Sequence, residues 1–246
     1  MLKKNAVYLT LSLMLVIALG LALLYIPKGE LHLQLCNRHT PVRDIFYRYY
    51  TTVAEWFPYV VCVLILLFSR IGDGLFASAC MILSALTTQL FKHLVNAPRP
   101  LTWFAQNMPD VQLPLTEGVR MNYWYSFPSG HTTSFFALTL VLSIIITKEI
   151  YSIRISRISQ ISRTIRTTRT YDFLLIFVQA GLFFLATLGA YSRIYLSQHF
   201  AADVLAGILV GVLIPLACYT LFTPLRNKNW YNYRIFRPFK PENAKK

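Results

Sequence analysis

Three short stretches of this 246-residue chain hold residues of the types that handle phosphate. The first is KHLVNAPRP, 92 to 100, with Lys92 and Arg99 seven residues apart. That spacing is two helical turns, which puts both cations along one face. Pro98 and Pro100 end the helix and limit the chain around Arg99. Such a pair suits an oxyanion; it equally suits a helix end whose long cations reach lipid headgroups. The second stretch is PSGH, 128 to 131, at the start of an apolar run. Ser129 fits an N-cap, with free backbone N–H groups just beyond it that attract anions. Gly130 allows close approach to the backbone, and His131 joins the same place. Alone, this is also an ordinary capped helix start. The third stretch is SRIYLSQHFAAD, 192 to 203, with His199 and Asp203 four residues apart and Arg193 upstream. On a helix the two share a face. A carboxylate on Nδ1–H fixes the tautomer and leaves Nε2 free as base or nucleophile. The same pair would also serve to hold helices together.

Taken together, the residues are three cations, helix N–H groups, a serine, two histidines and one carboxylate. Phosphoryl transfer needs that set: charge neutralisation on the equatorial oxygens, an in-line nucleophile and a proton for the leaving group. No acidic cluster with metal-ligand character stands in the sequence, so neither a two-metal mechanism nor a bound cofactor is expected.

The elements that must position these residues are membrane spans. The chain is 55% hydrophobic and only 14% charged, with a mean hydropathy of +0.47. That excludes an ordinary soluble domain and fits a polytopic, all-α membrane protein. Six spans are predicted, over about 6–26, 52–69, 74–95, 131–147, 172–191 and 203–222. The fourth is short for a span. The first is long for a signal sequence and has no clear cleavage site, so it reads as a retained helix. No repeat, low-complexity stretch or separate soluble domain is visible, which implies one membrane-embedded domain over 1–246.

A turn between spans three and four and another between five and six must lie on the same side. All three polar stretches therefore face one leaflet. With the N-terminus inside, 16 of the 24 Lys and Arg residues fall on the inside, which supports cytoplasmic termini and a site facing outward. Arg38, Arg43 and Arg48 in the first outer loop run against that count. The net charge of +14 thus reflects topology rather than nucleic-acid binding. In SIRISRISQISRTIRTTR, Ile155, Ile158, Ile161 and Ile165 share a possible helix face, but arginines surround it. A solvated loop meeting anionic headgroups is the simpler expectation. Cys36, Cys62, Cys80 and Cys218 are scattered without CxxC spacing, as small apolar residues would be.

Lys92 with Arg99-Pro100, Pro128-Ser129-Gly130-His131, and Ser192-Arg193 with His199 and Asp203 resemble the three-part signature of the type 2 phosphatidic acid phosphatase family. Residue types, spacing and order all match over 92–203. The resemblance implies a helical bundle of six spans, of the kind shared with vanadate-dependent haloperoxidases; the apolar composition argues against that soluble branch. It implies His199 as nucleophile through a phosphohistidine, Asp203 orienting it, and His131 protonating the leaving oxygen. Lys92, Arg99, Ser129, Gly130 and Arg193 would hold the phosphate, and no metal is implied. The substrate would be a membrane lipid phosphate in a bacterial inner membrane. Lipid A phosphate is favoured slightly, with undecaprenyl pyrophosphate or phosphatidylglycerophosphate close behind. The 101–127 loop, with Trp103, Phe104, Tyr123, Trp124 and Tyr125, is a possible cover over the site, or an interfacial aromatic belt. A phosphate or phospholipid transporter without chemistry is the alternative of another class; it would more often carry inverted repeats and broken helices near mid-membrane. No oligomeric state follows from the sequence.

Overall fold

The computed structural model of this protein describes residues 2–160 and 165–235, and the side chains of 3–155 and 170–235. Nine α-helices and no strand are found among the described residues. They are α1 (Ala6–Tyr25), α2 (Lys28–Cys36), α3 (Pro41–Tyr50), α4 (Trp56–Ser69), α5 (Ile71–Val95), α6 (Pro100–Asn107), α7 (Gly130–Gln160), α8 (Ile165–Tyr195) and α9 (Ala201–Phe222). Five of them, α1, α5, α7, α8 and α9, are long and apolar enough to cross a membrane. The segment Pro41–Ala54, which includes α3, and α4 meet the same criterion only as a pair, bent by 49° at the break between them. The span expected over 52–69 holds the 14-residue α4 and most of the short helical turn before it. At 1.5 Å per residue α4 is about 21 Å long, less than the hydrocarbon thickness. The fourth span, short in the sequence, is the front of a 31-residue helix. The isoleucine stripe of the basic run lies largely outside the described side chains; Ile155 is exposed.

Helix α7 is the centre of the bundle, packed against α8, α9 and α5. Its Phe135, Phe136, Leu140, Val141 and Ile144 form the core with Ala186 and Ala190 of α8 and Val204 and Ile208 of α9. Apolar side chains such as Leu13, Met14 and Ile17 of α1 point outward, as expected where lipid is the solvent. Lipid removes most of the hydrophobic drive between spans, so close packing and interhelical hydrogen bonds hold them. Two glycines make such a contact. A Cβ on Gly207 would stand 2.7 Å from the Ser129 carbonyl oxygen, and one on Gly211 2.7 Å from that of Thr133. Four residues apart on α9, they let its backbone lie directly on α7.

Polar side chains fasten the rest. Tyr8 Oη of α1 lies 2.7 Å from Thr139 Oγ1 of α7. Gln179 of α8 donates to the Lys4 carbonyl and to Thr147 Oγ1. At the opposite end from the site, Lys148 Nζ meets Asp73 at 2.7 Å, and Glu149 meets Arg70 at 3.0 Å. There the chain after α9 folds back, and the carbonyls of Tyr231 and Tyr233 accept from the N–H groups of Gly72 and Ile71. Cys36, Cys80 and Cys218 are buried and Cys62 is half-buried, all as free thiols.

Candidate active site

Four helix ends meet at one end of the bundle: the end of α5, the starts of α7 and α9, and the end of α8. They bring the three polar stretches together, though not by the local geometry their spacing suggests. Helix α5 stops at Val95, and Asn96 takes a left-handed conformation at φ 42°. Lys92 is therefore on the helix, whereas Arg99 is beyond it, as the N-cap of α6. The two cations do not share a helix face; the turn at 96–99 brings Arg99 back toward Lys92. Pro98 and Pro100 do end the helix, and that turn is the reason.

The pair His199 and Asp203 departs in the same way. Helix α9 begins at Ala201, so His199 lies before it and only Asp203 is helical. His199 Nδ1 faces Asp203 Oδ2 at 3.6 Å, a charge contact slightly longer than a hydrogen bond. The same oxygen accepts from the Phe200 N–H at 2.9 Å and from the Ser126 hydroxyl. Asp203 thus caps its own helix and orients toward the histidine at once. The loop before it is tightly held. Ser197 adopts φ 51°, and the N–H groups of Gln198 and His199 both donate to the Arg193 carbonyl, at 3.0 and 3.1 Å. His199 is 1% exposed. Burial pushes its pKa down to about 3, Asp203 opposing and Arg99 and Arg193 adding to the shift. The imidazole is neutral at physiological pH, with the lone pair a nucleophile needs.

Ser129 is the N-cap of α7, as expected. Its Oγ accepts from the Thr132 N–H at 3.4 Å and from the Thr132 hydroxyl at 2.8 Å. Its own N–H donates to the Asp203 carbonyl at 2.9 Å, which ties the second stretch to the third. What Ser129 has left for an anion is its hydroxyl proton. The open side of Gly130 faces the first stretch: a Cβ there would be 4.0 Å from Lys92 Nζ. His131 lies within electrostatic range of Arg193, His199, Lys92 and Arg99, so the five groups gather around one region at this end of the bundle, the chamber.

The cations differ in how they are tied down. Arg193 NH1 donates to Thr51 Oγ1 at 2.6 Å, and its buried Nε has no partner among the described residues. A buried guanidinium N–H without an acceptor is costly, and a phosphate oxygen would satisfy it. Arg99 is more committed, with Nε on the Trp124 carbonyl at 3.0 Å and NH1 on Gln198 Oε1 at 2.9 Å. Lys92 has no hydrogen-bond partner among the described residues.

Three contributors were not visible in the sequence pattern. Ser126, fully buried, holds the Asp203 carboxylate. Thr51 holds Arg193. Gln198 bridges Arg99 to the 108–127 loop through the Arg120 carbonyl. That loop does run over the site: Arg99 N–H donates to the Tyr123 carbonyl, and Ser197 Oγ to that of Pro114. Its Tyr123, Trp124 and Tyr125 are exposed, while on α6 Phe104 is buried and Trp103 half-buried.

A groove of about 490 Å³ leads into the chamber between α4, α5 and α7. Trp56, Tyr59, Met81 and Ala85 line it, and it ends at Gly130 and His131. Its surface is mostly apolar, with Glu55, Ser84, Gln89 and Ser134 interspersed, and its outer rim, at Trp56 and Ala85, is exposed. The arrangement can bind a tetrahedral oxyanion beside a neutral, oriented imidazole while an apolar chain lies in the groove.

The chain is 24% identical over 208 residues to a lipid A 4'-phosphatase of Porphyromonas gingivalis, an alignment spanning 82% of this chain and 75% of that protein. The fold resembles that of Aquifex aeolicus LpxE, with a TM-score of 0.55 and 24% identity over 78% of this chain and 93% of that one. It also resembles a transmembrane PAP2-type phosphatidylglycerolphosphate phosphatase from Bacillus subtilis, with a TM-score of 0.60 and 18% identity over 93% of this chain and 100% of the other. The sequence profile of the PAP2 superfamily matches residues 73–227. That match takes in all three polar stretches and every helix end of the chamber, and the chain belongs to the PAP2 superfamily.

Proposed function

We propose that this membrane-embedded PAP2 phosphatase removes a phosphate from lipid A or a closely similar phosphorylated lipid, working as one domain over 1–246. One observation carries the reading: a groove from the bundle flank ends at Gly130 and His131, and His131 lies within electrostatic range of Lys92, His199 and Arg193, whose buried Nε has no partner among the described residues. A phosphate on an apolar anchor fits that junction. The Porphyromonas gingivalis relative, named for lipid A, supports the choice of lipid.

In the proposed reaction the phosphate lies among Lys92, Arg99, Arg193, the Ser129 hydroxyl and the N–H groups at Gly130. His199 Nε2 attacks phosphorus in line as the bond to the leaving oxygen breaks. His131, entering the cycle as the imidazolium opposite the bound phosphate's negative charge, gives that oxygen its proton and is left neutral. Water then hydrolyses the phosphohistidine, with His131 taking a proton from it. Asp203 acts by holding the ring through Nδ1, and Ser126 by holding Asp203. The fixed cations supply the charge neutralisation, so no metal is required. The proposed placement is in an inner membrane, both termini cytoplasmic and the site outward, from the distribution of Lys and Arg.

The test is phosphate release by the purified protein in detergent with EDTA, from lipid A, undecaprenyl pyrophosphate and phosphatidylglycerophosphate, with His199→Ala alongside. The expected result is release that survives the chelator, is fastest from lipid A and is lost in the variant. Release abolished by EDTA, or retained in His199→Ala, would overturn the mechanism. A faster rate on undecaprenyl pyrophosphate would replace the substrate.

A further inference from the structure

Helix α2 has no part in the three polar stretches, yet it is fastened to the nucleophile loop. A Cβ on Gly29 would meet Met108 Sδ at 2.9 Å and the Trp103 ring at 3.1 Å, so α2 lies hard against α6. One turn on, the fully buried His32 has Nε2 3.3 Å from Ser197 Oγ, and its ring is 5.1 Å from that of Phe200. Lys28 is four residues before His32, on the same side of the helix. Its Nζ stands 3.9 Å over the Phe200 ring and 5.4 Å from that of Trp103. Phe200 directly follows His199, and Lys28 is close enough to feel the Asp203 charge. The residue is exposed and pairs with no carboxylate among the described residues.

An aromatic face holds an ammonium in place while leaving its N–H donors unused. Lys28 is thus a cation held on the ring that directly follows His199, reached from α2, whereas the three cradle cations come from α5, α8 and the turn before α6. One tetrahedral phosphate in the cradle does not need it. We propose that Lys28, on the platform of Phe200 and Trp103, binds a second oxyanion while the scissile phosphate occupies the cradle, and so selects lipids that carry two anionic groups. The inference rests on the phosphatase reading and deepens it. The second anion has two possible sources: a distal phosphate on the same substrate molecule, or the headgroup of a neighbouring anionic lipid.

The test compares a bis-phosphoryl and a mono-phosphoryl glucosamine-disaccharide lipid with identical acyl chains, in neutral detergent. Lys28→Gln is expected to cut the bis-to-mono ratio of kcat/KM about fivefold, mostly through KM, as for a single partly exposed charge contact. Lys28→Arg should restore the ratio. A ratio unchanged in neutral detergent, but a KM penalty on both lipids once phosphatidylglycerol is added, would support the site with a neighbouring headgroup as the anion. An unchanged ratio with no such penalty would overturn the inference. The affinity of His199→Asn for the bis-phosphoryl lipid, with and without Lys28→Gln and with and without phosphatidylglycerol, gives a readout independent of turnover: about fivefold weaker binding in either medium supports the site, and equal binding in both sinks it. Absence of turnover from both lipids would count against the phosphatase reading, while this binding pair still decides Lys28.

Discussion

Replacing Ser126 by alanine should slow the enzyme without unfolding it. The hydroxyl is buried and donates to Asp203 Oδ2, the same oxygen that faces His199 Nδ1 at 3.6 Å. Without it, the carboxylate keeps the Phe200 N–H and gains freedom to rotate away from the ring. A hydrogen bond to a charged group is worth about 1.5–3 kcal/mol. If that energy serves to align His199 in the transition state, kcat falls by about 10- to 150-fold, since 1.36 kcal/mol is a decade. KM should change little, because Ser126 lies behind Asp203 and not among the phosphate-binding donors. The assay is initial-rate phosphate release in detergent, with Ser126→Thr as the control that keeps the hydroxyl. Asp203→Asn and the double variant complete a cycle; groups acting in series give strongly non-additive losses. A Ser126→Ala rate within twofold of the wild type, or additive losses in the cycle, would refute the positioning role.

Gly207→Val should force α9 off α7, because its Cβ would start 2.7 Å from the Ser129 carbonyl; thermal unfolding in detergent should show a loss of about 1–3 kcal/mol, with phosphate release falling more than tenfold. Ala85→Trp, at the exposed rim of the groove, should slow long-chain lipid phosphates about tenfold yet spare p-nitrophenyl phosphate; equal effects on both would show that the groove does not carry the lipid. Acid should destabilise the fold through two buried histidines. Burial, named first in each case, lowers His199 to about 3 and His32 to about 4, with the Asp203 charge opposing. Below pH about 6.5 the unfolded chain takes up protons that the folded chain refuses. Stability is therefore full above that pH and falls between about 6.5 and 3. His32→Asn should flatten the slope of melting temperature against pH, and an unchanged slope would contradict the assignment.

What the sequence made legible was the set of candidate groups and the end of the bundle they share. Span parity sufficed for that, because Lys92, His131 and His199 fall at successive ends of long apolar runs. The local geometry was less legible. Lys92 and Arg99 invite a helical ruler, but Pro98 and Pro100 impose a turn that a ruler ignores. His199 and Asp203 look like one helical face, yet Asp203 is more useful as the cap of a helix that starts after His199. Ser126 and Thr51 carry no signal of their own, since a buried serine or threonine has a partner only once the chain is folded. The Gly207 and Gly211 pair did carry one: small residues four apart in an apolar run mark a close crossing. Helix α2, only nine residues long, follows Pro27 with mixed polarity and has no period long enough to read.

The gathering of four helix ends at a single end of the bundle makes the enzyme one-sided in a kinetic sense. In a sealed vesicle, one copy sees only the lipid pool in the leaflet it faces. Turnover should proceed as a burst that stops when that pool is spent. Any slower phase then measures how fast fresh substrate crosses from the other leaflet, and its rate should be independent of the amount of enzyme. The bundle would thus report on transbilayer traffic, and a flippase added to the vesicle would change the tail of the progress curve while leaving its start untouched.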